Sequence, residues 1–177
     1  MRIVLAAQAA ISFAVGCFIT FTQQLHTPAL GLMSLVWFAA AYSVATAVGS
    51  VVFARGLSAI ENIPLAVITG VIAILAALNL SANKNLLAGF ISLVTIWALL
   101  SGAFELYLAR RAGFKTAAGR DWSISGGLSF LLGAIFLLAP LGESKNALGF
   151  FGAYLVLSAV HLAITAATPV SPAEPKS

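Results

Sequence analysis

Apolar stretches long enough to cross a lipid bilayer recur along the whole of this 177-residue sequence. A helix rises about 1.5 Å per residue, so roughly 20 apolar residues span a hydrocarbon core of about 30 Å. The sequence therefore predicts an all-α, polytopic membrane protein, with one transmembrane domain over residues 1–168 built as a six-helix bundle. The predicted spans are about 3–22, 30–53, 63–80, 86–109, 122–140 and 147–168.

The composition agrees with lipid as the solvent of this chain. Hydrophobic residues make up 61% of the sequence and charged residues 8%, whereas soluble domains average roughly 45–50% and 25%. Prolines mark several predicted helix ends, because Pro28 and Pro64 stand where a helix can begin and Pro140 where one can end. The proline-rich segment 169–177 is predicted to be a disordered cytoplasmic tail.

The basic residues predict the orientation in the membrane. Cytoplasmic loops carry an excess of Lys and Arg, and a cytoplasmic N-terminus leaves only Lys84 and Lys145 of the nine Lys and Arg residues outside. We therefore expect a multi-pass protein of the bacterial inner membrane with both termini in the cytoplasm. The residues then placed inside are Arg2, Arg55, Arg110, Arg111, Lys115, Arg120 and Lys176.

Four of these cations lie close together between the fourth and fifth spans. This cytoplasmic basic loop consists of Arg110, Arg111, Lys115 and Arg120. Cations next to a membrane attract anionic lipid by about 1 kcal/mol each, so the loop predicts orientation and also a contact with anionic lipid. About a dozen residues is enough for a short interfacial helix, but too few for a folded domain.

A helix hairpin is repeated in the second half of the chain. The segment SGAFELYLA of the fourth span aligns with SAVHLAITA of the sixth, which matches Ser101 to Ser158. The preceding turns share a Lys-Asn pair, at 84–85 and at 145–146. The sequence therefore predicts two copies of a hairpin, and three if the first hairpin belongs to the same scheme.

Three segments of the region 86–168 share a pattern of glycine-spaced helices, namely WALLSGAFELYLARR, GRDWSISGGLSFLLGAIFLLAP and LGFFGAYLVLSAVHLAITAA. In these segments the chain resembles the HdeD family of small bacterial acid-resistance membrane proteins. The resemblance implies six spans and a role in tolerance of acid or other stress. It implies no catalytic residue.

Glu105 and His161 are the ionisable residues that lie clearly within a predicted span. Such groups cost roughly 2.5–3.5 kcal/mol at the membrane centre and are therefore functional candidates. Trp97, Ser101 and Glu105 form a stripe along the fourth span. A supporting stripe on the sixth consists of Tyr154, Ser158, His161 and Thr165.

Polar side chains in membrane helices tend to face each other. We therefore hypothesise that the two stripes meet and that Glu105 and His161 share a proton. The plainer alternatives are a carboxylate neutralised by Arg110 and a histidine that holds two helices together. Small residues are predicted to pack inside the bundle, namely Ser125, Ser129 and Gly133 on the fifth span and Gly149 and Ala153 on the sixth.

Motifs for enzymatic chemistry are missing from the sequence. It has no phosphate-binding loop, no HExxH and no CxxC, and its single cysteine, Cys17, excludes an intrachain disulfide. We therefore expect no enzyme activity, catalytic residue, cofactor, metal or nucleic-acid partner.

Three functions remain in competition. The first is a stress-tolerance protein that acts by homo-oligomeric assembly or association in the membrane. The second is a transporter or channel-like path for protons or a small solute along the polar stripes. The third is an accessory subunit of a larger membrane complex.

Overall fold

The computed structural model of the chain describes residues 2–52 and 57–168, without the side chains of residues 57–61. Arg55, Lys176 and the predicted tail at 169–177 lie outside the described residues. The described part is helical apart from short turns, which confirms the predicted fold class. Its helices are α1 (Arg2–Phe21), α2 (Pro28–Val52), α3 (Leu57–Ala82), α4 (Leu86–Ala112), α5 (Ala117–Leu138) and α6 (Ser144–Ala167), with a 3₁₀ turn at Gln23–Leu25.

All six helices are long and apolar enough to cross a membrane. Large apolar side chains cover the outer surface, for example Phe21, Trp37 and Leu138, which are 86%, 68% and 80% exposed. A soluble monomer rarely exposes apolar surface of this extent. The surface composition therefore agrees with a bundle surrounded by lipid, and the chain is a multi-pass membrane protein.

The third helix differs most from its prediction. The predicted span covers 63–80, whereas α3 begins at Leu57 and includes Pro64 in its interior. A proline inside a helix removes one backbone hydrogen bond, and membrane helices tolerate this where neighbouring groups compensate. Pro64 was therefore wrongly interpreted as a helix start. Pro28 is the first residue of α2, as predicted.

The predicted basic loop is mostly helical. Helix α4 continues to Ala112, so Arg110 and Arg111 lie in its last turn, where cations complement the helix dipole. Helix α5 begins at Ala117 after the Thr116 hydroxyl accepts a hydrogen bond from the Gly119 amide. Only residues 113–116 remain as a turn, which leaves no room for an interfacial helix. The four basic side chains of Arg110, Arg111, Lys115 and Arg120 are exposed.

Helix contacts repeat three times around the bundle. The most extensive contacts join α2 to α3, α4 to α5, and α6 to α1, while smaller contacts join α1 to α2, α3 to α4, and α5 to α6. Helices α2, α4 and α6 begin 58 residues apart, at positions 28, 86 and 144. The hairpin repeat therefore includes the first hairpin, so that the three hairpins are α1–α2, α3–α4 and α5–α6. Each hairpin packs most closely against the next one.

The ends of the described chain lie side by side. The Arg2 guanidinium donates a hydrogen bond of 3.0 Å to the carbonyl oxygen of Thr168, just beyond α6. Because the ends of α1 and α6 touch, they emerge on the same side of the bundle. The turn between α4 and α5 emerges on this side too, because four spans, an even number, separate it from the start of α1.

Helices α2, α4 and α6, together with Phe136 of α5, meet at the centre of the bundle through aromatic side chains. Phe38 makes edge-to-face contacts with Trp97 and Phe151, at centroid distances of 5.2 and 5.9 Å. Phe90 contacts Phe136 and Phe151 in the same way, at 6.0 and 5.7 Å. We call these five residues the aromatic cluster. Each of its members is at most 3% exposed.

Small residues allow close helix contact at only some of the predicted positions. On α5, Ser129 and Gly133 are buried as predicted, and a Cβ added at Gly133 would lie 2.7 Å from Leu99 of α4. On α6 the prediction was wrong, because Gly149 and Ala153 are exposed, while Gly152 faces Ile19 of α1. Spacing alone did not reveal which face of this uniformly apolar helix is buried.

Candidate functional site

Glu105 is a buried carboxyl group within the transmembrane part of α4. Its side chain is 6% exposed and lies seven residues, or about 10 Å, before the end of the helix at Ala112. Helices α4 and α5 approach closely here, because a Cβ added at Gly126 would lie 2.9 Å from the Glu105 Cβ. Glycine at 126 therefore allows α5 to cover the carboxyl group.

Hydroxyl groups of α5 surround the Glu105 carboxylate. The Ser125 hydroxyl donates a hydrogen bond of 2.9 Å to Oε2, and Ser129, one turn further along, is close enough to interact with the same carboxylate. Ser129 also forms a 2.9 Å hydrogen bond with the Tyr154 hydroxyl of α6. Glu105, Ser125, Ser129 and Tyr154 therefore form a network that joins three helices, which we call the carboxyl network.

The carboxyl network extends to the aromatic cluster through Trp97. The ring of Trp97 contacts Tyr154 edge-to-face, with centroids 5.7 Å apart, and its indole N–H donates a 3.3 Å hydrogen bond to Thr69 of α3. Tyr42 of α2 lies near enough to Glu105 for an electrostatic interaction and packs against Phe38. Side chains of α2, α5 and α6 thus lie around Glu105, and α3 joins this arrangement through the Thr69–Trp97 hydrogen bond.

The structure gives Glu105 and His161 separate hydrogen-bond partners and does not bring them together as hypothesised. Glu105 is bonded to Ser125, whereas Nε2 of His161 lies 3.3 Å from the backbone oxygen of Asp121. Both partners belong to α5, which therefore contacts Glu105 of α4 and His161 of α6. The two predicted stripes do meet, through the longer side chains of Trp97 and Tyr154.

The other stripe residues have supporting positions. Ser101 is buried and donates a 2.6 Å hydrogen bond to the backbone oxygen of Trp97. Ser158 is buried close to the Tyr154 hydroxyl. Thr165 is half-buried, one turn beyond His161. Arg110 is exposed at the end of α4, so the groups around the buried carboxylate are hydroxyls and not this cation.

A second polar contact, absent from the sequence predictions, joins α1 to α2. The Gln8 amide donates a buried hydrogen bond of 2.8 Å to the Thr46 hydroxyl, and Thr46 donates to the Tyr42 carbonyl. Gln8 was detectable in principle, since an amide inside the first apolar segment needs a partner. Tyr42 gave no comparable signal, because a tyrosine in a span also suits a purely apolar contact.

The chemistry available to the carboxyl network is exchange of a proton and of hydrogen-bond direction. An ionised carboxylate only accepts hydrogen bonds, whereas a protonated one also donates. Either oxygen of the Ser129–Tyr154 pair can be the donor, so this hydrogen bond can run in either direction. Among the residues that the structure describes, no three His, Cys, Asp or Glu side chains gather as a metal site would require.

Comparison with known proteins supplies no template for this site. No family model, curated protein or solved structure matches the chain.

Proposed function

We propose that this chain is a non-enzymatic protein of the bacterial inner membrane, with both termini in the cytoplasm and a role in acid or general stress tolerance of the HdeD type. In this proposal Glu105 takes up a proton and thereby changes how α5 packs against α4 and α6. The observation that supports it is a carboxyl group buried in a membrane helix and surrounded by hydroxyls. An ionisable group is costly in such a place and is usually functional there.

Protonation would act on the contacts of α5. The Glu105–Ser125 hydrogen bond links α5 to α4, and the Ser129–Tyr154 bond links α5 to α6. Hydrogen bonds to a charged group are stronger than those between neutral groups. Neutralising Glu105 therefore weakens one link and permits the other to reverse, so that the helix packing responds to acid.

Glu105 is the group in this network that changes charge on acidification. The titratable side chains facing it are Tyr42 of α2 and Tyr154 of α6, both close enough to interact with its charge. Phenols ordinarily titrate near pH 10 and stay neutral in acid. From α5 it faces the uncharged hydroxyls of Ser125 and Ser129. His161 is bonded elsewhere, to the Asp121 backbone.

The packing on the axis favours this role over the transport alternative. On the side of Trp97 that is away from Glu105, the other members of the aromatic cluster fill the centre of the bundle. Among them, Phe38, Phe90 and Phe151 are at most 2% exposed. A solute path along the polar stripes would require these rings to separate. The network is therefore better suited to sensing protons than to an open path, and the protein would exert its effect through assembly or association in the membrane.

Fluorescence of Trp97 in lipid nanodiscs tests the proposal directly. The variants Trp37→Phe and Trp122→Phe together leave Trp97 as the only tryptophan of the three. We expect its emission to change between pH 8 and pH 4, because Trp97 contacts Tyr154. Adding Glu105→Gln should abolish that change. A matched control is Glu143→Gln, since Glu143 is exposed and its side chain makes no capping hydrogen bond.

The outcomes separate the competing functions. An unchanged pH response in Glu105→Gln would contradict the proposed role of this residue. Reproducible proton or solute flux in liposomes, lost in Glu105→Gln but not in Glu143→Gln, would favour transport. Acid survival of a deletion strain, complemented by wild type but not by Glu105→Gln, would connect the network to stress tolerance.

A further inference from the structure

A groove opens on the outer surface of the bundle between α1 and α6. It has a volume of about 650 Å³, and its apolar lining includes Ala6, Ala10 and Phe13 of α1 and Ala159, Ala163 and Ala167 of α6. This volume lies in the range of pockets that bind small molecules, roughly 300–1,000 Å³. Because most of these side chains are alanines, the two helices leave a space that larger residues would have filled.

The groove occupies one half of the α1–α6 pair. In the other half the helices are in close contact, because a Cβ added at Gly16 would lie 2.9 Å from Val156, and one at Gly152 would lie 3.0 Å from Ile19. The groove lies towards the start of α1 and the end of α6. It therefore opens into a single leaflet, on the side where the chain ends and the basic turn between α4 and α5 emerge.

Arg2 stands at the end of this groove. It precedes Ala6 by four residues and Ala10 by eight, which places the three residues on one face of α1. Its guanidinium is held by the hydrogen bond to the Thr168 carbonyl, next to Ala167 of the groove. Arg2 is exposed, and a guanidinium has five N–H donors, so donors remain for an anion at the membrane surface.

We propose that the groove binds one anionic phospholipid, with its phosphate at Arg2 and one acyl chain between the alanines of α1 and α6. The stretch from Ala6 to Phe13 is about 10 Å long, or about two-thirds of one leaflet of a 30 Å hydrocarbon core. An apolar groove with a cation at its headgroup end matches a phospholipid in both chemistry and length. The proposal is independent of the role of Glu105.

A second copy of the chain fits the same groove less well. A two-fold contact uses the same surface of both partners, so a dimer about an axis normal to the membrane would bring two Arg2 side chains to the same depth. Two arginine side chains that are brought together at the same depth repel each other. An anionic lipid instead meets a complementary charge.

Native mass spectrometry of the purified full-length protein tests the proposal. The probes are phosphatidylglycerol and phosphatidylcholine with identical acyl chains, titrated separately. We expect one phosphatidylglycerol to bind about fivefold more tightly than phosphatidylcholine, because one cation near the membrane surface contributes about 1 kcal/mol. Arg2→Gln should remove this preference and Arg2→Lys should retain it. Ala163→Leu and Ala10→Leu should weaken binding of both lipids by filling the groove.

Matched controls distinguish a site from general attraction. Lys145→Gln removes an exposed cation near the start of α6, outside the basic loop, and Ala103→Leu enlarges an exposed alanine of α4 outside the groove. Both should bind the lipids as the wild type does. The proposal is overturned if Arg2→Gln keeps the preference, if Lys145→Gln loses it equally, or if both leucine variants in the groove bind normally. A dimer that Ala163→Leu dissociates would overturn it in favour of a second copy.

Discussion

The two halves of this bundle are packed from different kinds of side chain. In one half, near the beginnings of α2, α4 and α6, the aromatic cluster fills the axis. The other half contains the Glu105 carboxyl network and the Gln8–Thr46 hydrogen bond. Lipid chains are as apolar as a protein core, so apolar helices associate through shape alone, whereas polar groups must find partners. The comparison shows that aromatic packing and polar hydrogen bonds are located at different depths of the bundle.

Trp97 and Tyr154 connect the two halves. Their rings are in contact, while the Trp97 N–H is bonded to Thr69 and the Tyr154 hydroxyl to Ser129. A change in the polar half therefore has a direct route to the aromatic half. Variants that act on only one half can show whether the two are coupled in this way.

The largest expected effect is in the aromatic half. Phe151→Ala should reduce the free energy of unfolding by about 3 kcal/mol, the lower end of the range for core phenylalanines. The lower end applies because in lipid the loss comes from van der Waals contacts and the cavity, without a hydrophobic transfer term. Phe150→Ala is the matched control, since Phe150 is 44% exposed and Phe151 is fully buried. SDS denaturation from mixed micelles measures both. Equal losses would contradict the packing described for α6.

The next largest effect is expected where α5 covers Glu105. Gly126→Leu should cost about 2 kcal/mol by overpacking, because an added Cβ would lie 2.9 Å from the Leu106 backbone nitrogen. The neighbouring Gly127 has open space around it, so Gly127→Leu should change stability by less than about 0.5 kcal/mol. If the two variants are equally stable under the same denaturation, the close contact between α4 and α5 is refuted.

A smaller loss is expected from the link between α5 and α6. Tyr154→Phe removes the hydrogen bond to Ser129 and should cost about 1 kcal/mol or less, the size of a typical net hydrogen bond in a membrane protein. Tyr107→Phe serves as its control, because Tyr107 is 58% exposed. In the single-tryptophan background, Tyr154→Phe should also reduce the pH response of Trp97. A full pH response of Trp97 in Tyr154→Phe would show that the two halves of the bundle are not coupled through this hydrogen bond.

The smallest effect is expected away from Glu105. A double-mutant cycle of Gln8→Leu and Thr46→Val should give a coupling of about 0.6 kcal/mol, the average for interhelical hydrogen bonds in a membrane protein. Because neither side chain titrates, the coupling should be the same at pH 8 and pH 4. A coupling that vanishes in acid would show that the response to protons is not confined to the carboxyl network.

Part of the site could be predicted from the sequence. Glu105 was identified from the cost of a charge in lipid, and Trp97 and Ser101 from their spacing along the same helix. The partners of Glu105 could not be identified, because Ser125 and Ser129 are indistinguishable in the sequence from small residues used for packing. The separate partners of Glu105 and His161 could not be identified for a related reason: a helical stripe gives a direction but not the neighbour in that direction.

The sequence by itself determined the solvent, the number of helices and the hairpin repeat. These follow from the length of the apolar segments and from local periodicity, which need no knowledge of neighbours. Only the tertiary structure decided which face of each helix is buried, which hairpins pack most closely, and that α5 contacts both Glu105 and His161. The physical reason is that helices apolar all round carry little amphipathic signal. In lipid, side-chain shape and a few hydrogen bonds therefore select the neighbours.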